Sequence, residues 1–252
     1  MRVLFVFAFI LGFNFANAQL FEKDRVINKE NFDKKKWSWG YFLGLNSYDF
    51  KINYIENQPP VSEYINDNPE IGFNPNTDDE PDIKVDKGLS FNIGLIGNLR
   101  INNYLDLRLE PGVIFTSRVL DFPYFTDEND RIREVGASYI HIPLLLKFSA
   151  KRINNFKPFV IGGASVSHNL SNNQNNPNDN SGGEFRMKKN NYYFEVGFGV
   201  DFYLEFFKFT PSIRGVFGMG DELFRDNDPN SPWTSNIESL KTRGLFINFT
   251  FQ

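Results

Sequence analysis

Gly244-Leu245-Phe246-Ile247-Asn248-Phe249-Thr250-Phe251 decides how the rest of the chain is read. Side chains along a strand point alternately to opposite faces. Leu245, Ile247, Phe249 and Phe251 therefore share one face, and Gly244, Phe246, Asn248 and Thr250 share the other. A helical face would repeat near every ~3.6 residues, and this stretch does not.

Seven further segments show a similar period: Trp37–Phe50, Gly88–Asn98, Tyr104–Val119, Ala137–Phe148, Phe156–Leu170, Tyr192–Phe202 and Phe206–Gly218. In Tyr104–Val119 the apolar Leu105, Leu107, Leu109, Val113 and Phe115 oppose Asp106, Arg108, Glu110, Thr116 and Arg118. Glycines and serines leave the faces of Phe156–Leu170 undecided. Long polar links (51–87, 120–136, 171–191, 219–239) alternate with short turns (99–103, 149–155, 203–205). This rhythm predicts an all-β fold: an eight-stranded antiparallel up-and-down transmembrane barrel with short periplasmic turns and long outer loops. An even strand count sets the first strand beside the last and leaves no open edge in lipid.

A soluble eight-stranded barrel would alternate in the same way. Glycine separates the two. Gly40, Gly44, Gly94, Gly112, Gly197 and Gly199 lie on the polar face among charges, where a narrow lumen needs small residues and a solvated exterior does not. The opposite face is crowded with Phe, Leu and Ile. Trp37, Trp39 and Tyr41 open the first strand, where an interfacial aromatic girdle is expected.

Composition agrees. The chain has 29 Phe, 10 Tyr and 3 Trp, yet a mean hydropathy of −0.39. Apolar residues are thus segregated by face rather than gathered in runs. A net charge of −4 gives no sign of a nucleic-acid partner. The absence of cysteine rules out disulfides, a thiol nucleophile and thiolate metal ligands. Residues 1–18 read as a signal peptide. Arg2 is followed by an apolar run from Val3 to Phe13, too short for a helix that needs roughly 20 residues to span a bilayer, and by the small-x-small site Ala16-Asn17-Ala18. Residues 19–36 are then a periplasmic N-terminal segment, and residues 37–252 the barrel, exported to the cell outer membrane.

The predicted lumen face carries Asp106, Glu110, Glu195 and Asp201 against Arg108, Arg118, Lys147, Lys208 and Arg214. In a barrel this narrow, side chains fill the interior. Mixed charges are expected to pair with one another and plug the lumen, with Glu195 and Asp201 meeting Lys208 and Arg214 on the next strand. His141 is predicted to face the lumen. His168, near Ser165 and Ser167, is only a weak signal for a Ser–His pair, so no enzyme is expected. No cofactor motif is present. The acidic runs at Thr77–Asp82, Asp127–Asp130 and Asp226–Asp228 lack the spacing of a calcium loop and read as solvated links. Lys34-Lys35-Lys36 is expected to mark the periplasmic membrane boundary.

Several stretches resemble known families. The chain's end is similar to the signal read by the outer-membrane barrel assembly machinery, polar-x-Gly-x-x-apolar-x-apolar, here Thr242, Gly244, Ile247 and Phe249, with Phe251 extending the row. Tyr139–Phe148 (YIHIPLLLKF), Lys157–Gly163 and Glu195–Val200 resemble strands of an outer-membrane barrel family widespread in Bacteroidota. The block Phe32–Asn46 (FDKKKWSWGYFLGLN) resembles the opening of the PorT (SprT) family. That resemblance implies a non-enzymatic component required for type IX secretion, and for gliding motility where present. Its implied partners are outer-membrane lipid, the assembly machinery and other type IX components. The alternative is a general barrel: an adhesin or envelope-integrity protein using its longest link, 51–87, or a small diffusion pore.

Overall fold

The computed structural model describes residues 27–55, 83–123, 125–171, 173–175, 185–229 and 231–252. The signal peptide and the acidic run 77–82 fall outside them. The strands are β1 (Trp37–Tyr54), β2 (Lys84–Lys87), β3 (Leu89–Arg100), β4 (Leu105–Leu109), β5 (Gly112–Asp121), β6 (Ile132–Ser149), β7 (Phe156–Asn169), β8 (Asn190–Tyr203), β9 (Lys208–Gly218) and β10 (Ile237–Phe251). A four-residue helix, α1 (Glu128–Arg131), precedes β6, and a 3-10 turn covers Phe32–Lys34.

Ten strands make a ring of eight. β4 and β5 are one strand interrupted at Glu110–Pro111, since both keep a single register against β3 and against β6. Proline has no N–H for the ladder, although the Pro111 carbonyl still accepts from the Leu95 N–H at 2.9 Å. β2 and β3 likewise form one strand, whose register against β5 slips by one residue at Gly88. A Cβ there would lie 2.7 Å from the Ser117 carbonyl oxygen, so the bulge needs glycine. Closure comes from β1, which pairs antiparallel with both β3 and β10. Tyr41 meets Phe251, and Phe251 meets Phe209 of β9.

The distribution of side chains is inside out. Leu89 is 79% exposed and Trp39 71%, whereas Arg108 and Lys147 are each 1% exposed. Charges enclosed and apolar rows turned outward require lipid around the wall. Trp37 and Trp39 stack on that outer face with ring centroids 6.2 Å apart, and Tyr41 stacks on Phe251 at 5.3 Å. All three lie at the end that carries the short turns and the C-terminus. β7 resolves in favour of Lys157, Phe159, Ile161, Ser165 and Ser167 facing inward.

Where they are described, the outer links are shorter and drier than their composition suggests. β1 and β6 run to 18 residues each, while crossing lipid takes about 9–11. The extra length rises beyond the bilayer, and only residues 122–131 separate β5 from β6. Phe122, Phe125, Phe185, Met187, Leu223 and Trp233, drawn from three links, pack on Phe50, Leu120, Val135, Ile237 and Leu240 to form an apolar lid over the lumen. Asp226, expected in a solvated run, is buried among these links and paired with Arg186 at 3.2 Å. At the opposite end, the N-terminal segment docks on the short-turn mouth. Asn28 donates to the Tyr203 carbonyl at 3.0 Å, Tyr203 donates its hydroxyl to Asp33 at 2.7 Å, and Lys208 lies 4.7 Å from the Phe32 ring centre.

Candidate functional site in the barrel lumen

Between lid and mouth the lumen is filled in three layers. Nearest the mouth, Asp201 receives Lys147 at 2.5 Å, the Thr210 hydroxyl at 2.7 Å and Lys208 at 3.8 Å. The Lys147 ammonium also sits 4.1 Å from the centre of the Phe159 ring. A desolvated cation gains from such a ring face. Phe159 has room because Gly199 lacks a side chain: a Cβ there would be 2.6 Å from the ring. Glycine and aromatic thus share one slot.

The middle layer is a chain of ion pairs. Arg108 meets Glu110 at 3.3 Å, Glu110 meets Arg214 at 2.7 Å, and Arg214 meets Glu195 at 2.8 Å. Glu195 continues to His141 Nε2 at 2.8 Å, and His141 Nδ1 to Ser167 Oγ at 2.6 Å. Beside it runs an asparagine ladder, in which Asn46 donates to Asn92 at 3.4 Å and Asn92 to Asn248 at 2.9 Å. A Cβ at Gly44 would collide with Asn248 Oδ1 and sit 2.7 Å from Asn92 Oδ1. Beneath the lid, Arg118 lies 3.8 Å from the Phe50 ring centre and donates to Thr242 at 3.1 Å and to the Tyr139 hydroxyl at 3.2 Å. Glu222 accepts from the Thr242 N–H at 2.8 Å and from the Tyr193 hydroxyl at 3.3 Å.

Seven of the nine charges read as a lumen network therefore meet in it: Arg108, Glu110, Lys147, Glu195, Asp201, Lys208 and Arg214. Two differ. Asp106 is half-buried at the start of β4, lines the mouth and makes no ion pair among the described residues. Arg118 takes rings and hydroxyls rather than a carboxylate. Sequence reasoning missed Glu222 altogether. It lies in a link, outside any alternating segment, so no period assigns it a face.

The suggested His168–Ser pair does not form. Neighbouring strand residues face opposite ways, so Ser167 turns inward to His141 while His168 bonds Asn190 at 2.7 Å. Ser167, His141 and Glu195 have the order of a nucleophile, base and orienting acid. All three are at most 3% exposed, and Tyr193 and Phe246 rings flank His141 at 6.1 and 6.0 Å. The trio lies buried at the end of the charge chain.

Residues 17–223 match the family described as "Outer membrane protein beta-barrel domain". No curated protein matches the chain. Among solved structures, similar ones are OprG of Pseudomonas aeruginosa (12% identity, 85% of this chain and 93% of that one, TM-score 0.40), Ail of Yersinia pestis (10%, 86% and 98%, 0.34) and the N-terminal barrel domain of Pseudomonas aeruginosa OprF (11%, 83% and 97%, 0.33). The family match spans most of the barrel whose inside-out wall requires lipid, and the chain belongs to the outer membrane protein beta-barrel domain family.

Proposed function

We propose that this barrel is a closed, non-enzymatic component of the type IX secretion machinery, acting through contacts at its ends rather than as the conduit. The observation that carries the closed state is the lumen: Glu110, Glu195 and Asp201 are each buried and bonded to cations from neighbouring or facing strands. Side chains that satisfy one another across the axis leave no path for a folded cargo. The secretion role rests on the resemblance of Phe32–Asn46 to the PorT family. That block includes the 3-10 turn docked on the periplasmic mouth and the start of β1. A periplasmic partner would meet it first. The assembly machinery is the other proposed partner, through Gly244, Ile247, Phe249 and Phe251.

The rival is a general envelope barrel that binds with its outer surface. The packed lid favours it, since a platform built on Trp233 and Phe125 presents the links in fixed positions. Deleting the gene in its host separates the two. The secretion reading expects loss of extracellular proteins carrying the type IX C-terminal signal, with a gliding defect where the host glides. Deleting only residues 55–84 is expected to matter less than disrupting Phe32–Lys36. Intact secretion in the full deletion would leave the envelope reading standing.

A further inference from the structure

We propose that the short-turn mouth binds one small phosphate-class oxyanion, free or as a headgroup, held by Lys157, Lys36, Arg100 and the Ser38 hydroxyl. These groups line a cavity of about 30 Å³ between the docked N-terminal segment and the barrel. Roughly 10–15 Å³ on this measure admits one water, so the space suits a compact ion.

Lys157 is the central observation. It is 7% exposed, and in the β7–β8 register it stands directly opposite Asp201. Yet Asp201 is already engaged by Lys147 at 2.5 Å and Thr210 at 2.7 Å. Lys157 has no hydrogen bond or ion pair among the described residues. Lys157 lines the cavity, where an anion would supply the counter-charge it lacks.

The surroundings agree in sign. Lys35, Lys36, Arg100 and Lys208 also border the cavity, against Asp33, Asp106 and Asp201. Arg100 already donates Nε to the Asn102 carbonyl at 3.2 Å and Nη2 to Asn103 Oδ1 at 2.9 Å, so Nη1 is the donor it can turn to an ion. Asp33 is held by the Tyr203 hydroxyl at 2.7 Å and Arg152 at 3.9 Å, which leaves Asp106 as the one uncommitted acid on this lining. Ser38 adds a directed donor. Arg108 Nε donates to Asn98 Oδ1 at 2.7 Å, which turns the Asn98 amide nitrogen toward Ser38 Oγ at 3.3 Å. Gln252 Nε2 donates to the same oxygen at 3.4 Å. While it accepts from the Asn98 amide, the Ser38 hydroxyl keeps its own O–H to donate. Donors arrive from the N-terminal segment, β1, β3 and β7, around the cavity rather than along one edge. That arrangement suits an ion with acceptors on every side better than a carboxylate, whose two oxygens share an edge.

The test uses the mature full-length protein in a phosphate-free nonionic detergent, titrated with inorganic phosphate and followed by phosphorus NMR. Saturable binding is expected, weakened about tenfold or more in Lys157→Gln by loss of a charge-assisted bond and about threefold in the exposed Lys36→Gln. A second arm assembles the protein in nanodiscs containing phosphatidylglycerol or phosphatidylethanolamine and weighs it by native mass spectrometry. One lipid retained by the wild type, displaced by phosphate and lost in Lys157→Gln identifies a headgroup as the source; phosphate binding without a retained lipid identifies the free ion. Neither in the wild type, or equal binding in Lys157→Gln, overturns the site. If Lys157→Gln yields no heat-modifiable band, unchanged phosphate affinity in Lys36→Gln overturns it instead.

Discussion

The middle of the lumen and the outer lid are both buried and both close the barrel, yet they are built from opposite materials. The middle is ionic: Arg108, Glu110, Arg214, Glu195 and His141 lie in one chain of contacts fixed by four strands and their register. The lid is apolar, and most of its rings come from links outside the named strands. Phe125 and Trp233 stack at 5.1 Å although 108 residues separate them in the chain. A rigid wall can hold charges where removing one partner leaves the other stranded. Links cannot rely on such fixed placement, and burial of apolar area, which is non-directional, is what gathers them.

The contrast is sharpest at Asp201. Replacing it with Ala leaves Lys147 and Lys208 without their carboxylate, and a broken buried pair costs roughly 3–5 kcal/mol. Urea unfolding of the barrel in lipid vesicles should show a loss of that size, distributed over the whole barrel. Trp233→Ala should cost about 3 kcal/mol of packing but only locally. Protease cleavage or hydrogen exchange in residues 219–236 should rise sharply, while the heat-modifiable band of the barrel persists. A global loss of the barrel in Trp233→Ala would erase the distinction between the two regions.

The outward face gives a smaller and different effect. Phe251 touches Tyr41 and Phe209, each at 5.3 Å between ring centres. Changing Phe249 and Phe251 to Ser should lower outer-membrane levels severalfold without affecting export, as cell fractionation would report. Normal levels would remove the assembly role from these residues.

The lid should also respond to pH through Glu222. Burial raises its carboxyl above the usual 4.5, opposed by Arg118 and by the Thr242 N–H and hydroxyl. A raised carboxyl stabilises the folded lid fully below its ordinary value, and that contribution is lost as pH rises through the folded value. Neighbouring Asp221 is also raised by burial, but the Leu240 and Leu223 N–H groups and Arg225 outweigh this and hold it below 3.8. Its stabilisation is present above 3.8 and fades only in stronger acid. Trp233 fluorescence should report a modest loosening of the lid with rising pH that Glu222→Gln abolishes.

Legibility follows the same division. In the strands, one period assigns every side chain a face, so the outward rows and seven of the nine lumen charges could be read from residue order. β7 escaped because Phe159 and Ile161 are apolar and yet inward. Phe159 serves as a ring face for Lys147, and nothing in local sequence announces that use. The lid escaped because Phe122, Phe125, Phe185 and Trp233 sit in polar links with no period at all. Asp106 escaped because its inward face is correct but its height, at the mouth, depends on where β4 begins. Strand order gives a side chain its direction; only the folded barrel gives it a depth and a partner.

Closure by the lumen itself is most directly tested by planar-bilayer conductance, measured on the wild type and on a lid-opened variant carrying Phe125→Ala and Trp233→Ala. Neither should show steady conductance, because the ionic layers remain when the lid is gone. Large, stable single-channel openings in the wild type, or in the variant alone, would contradict a lumen closed by its own charges.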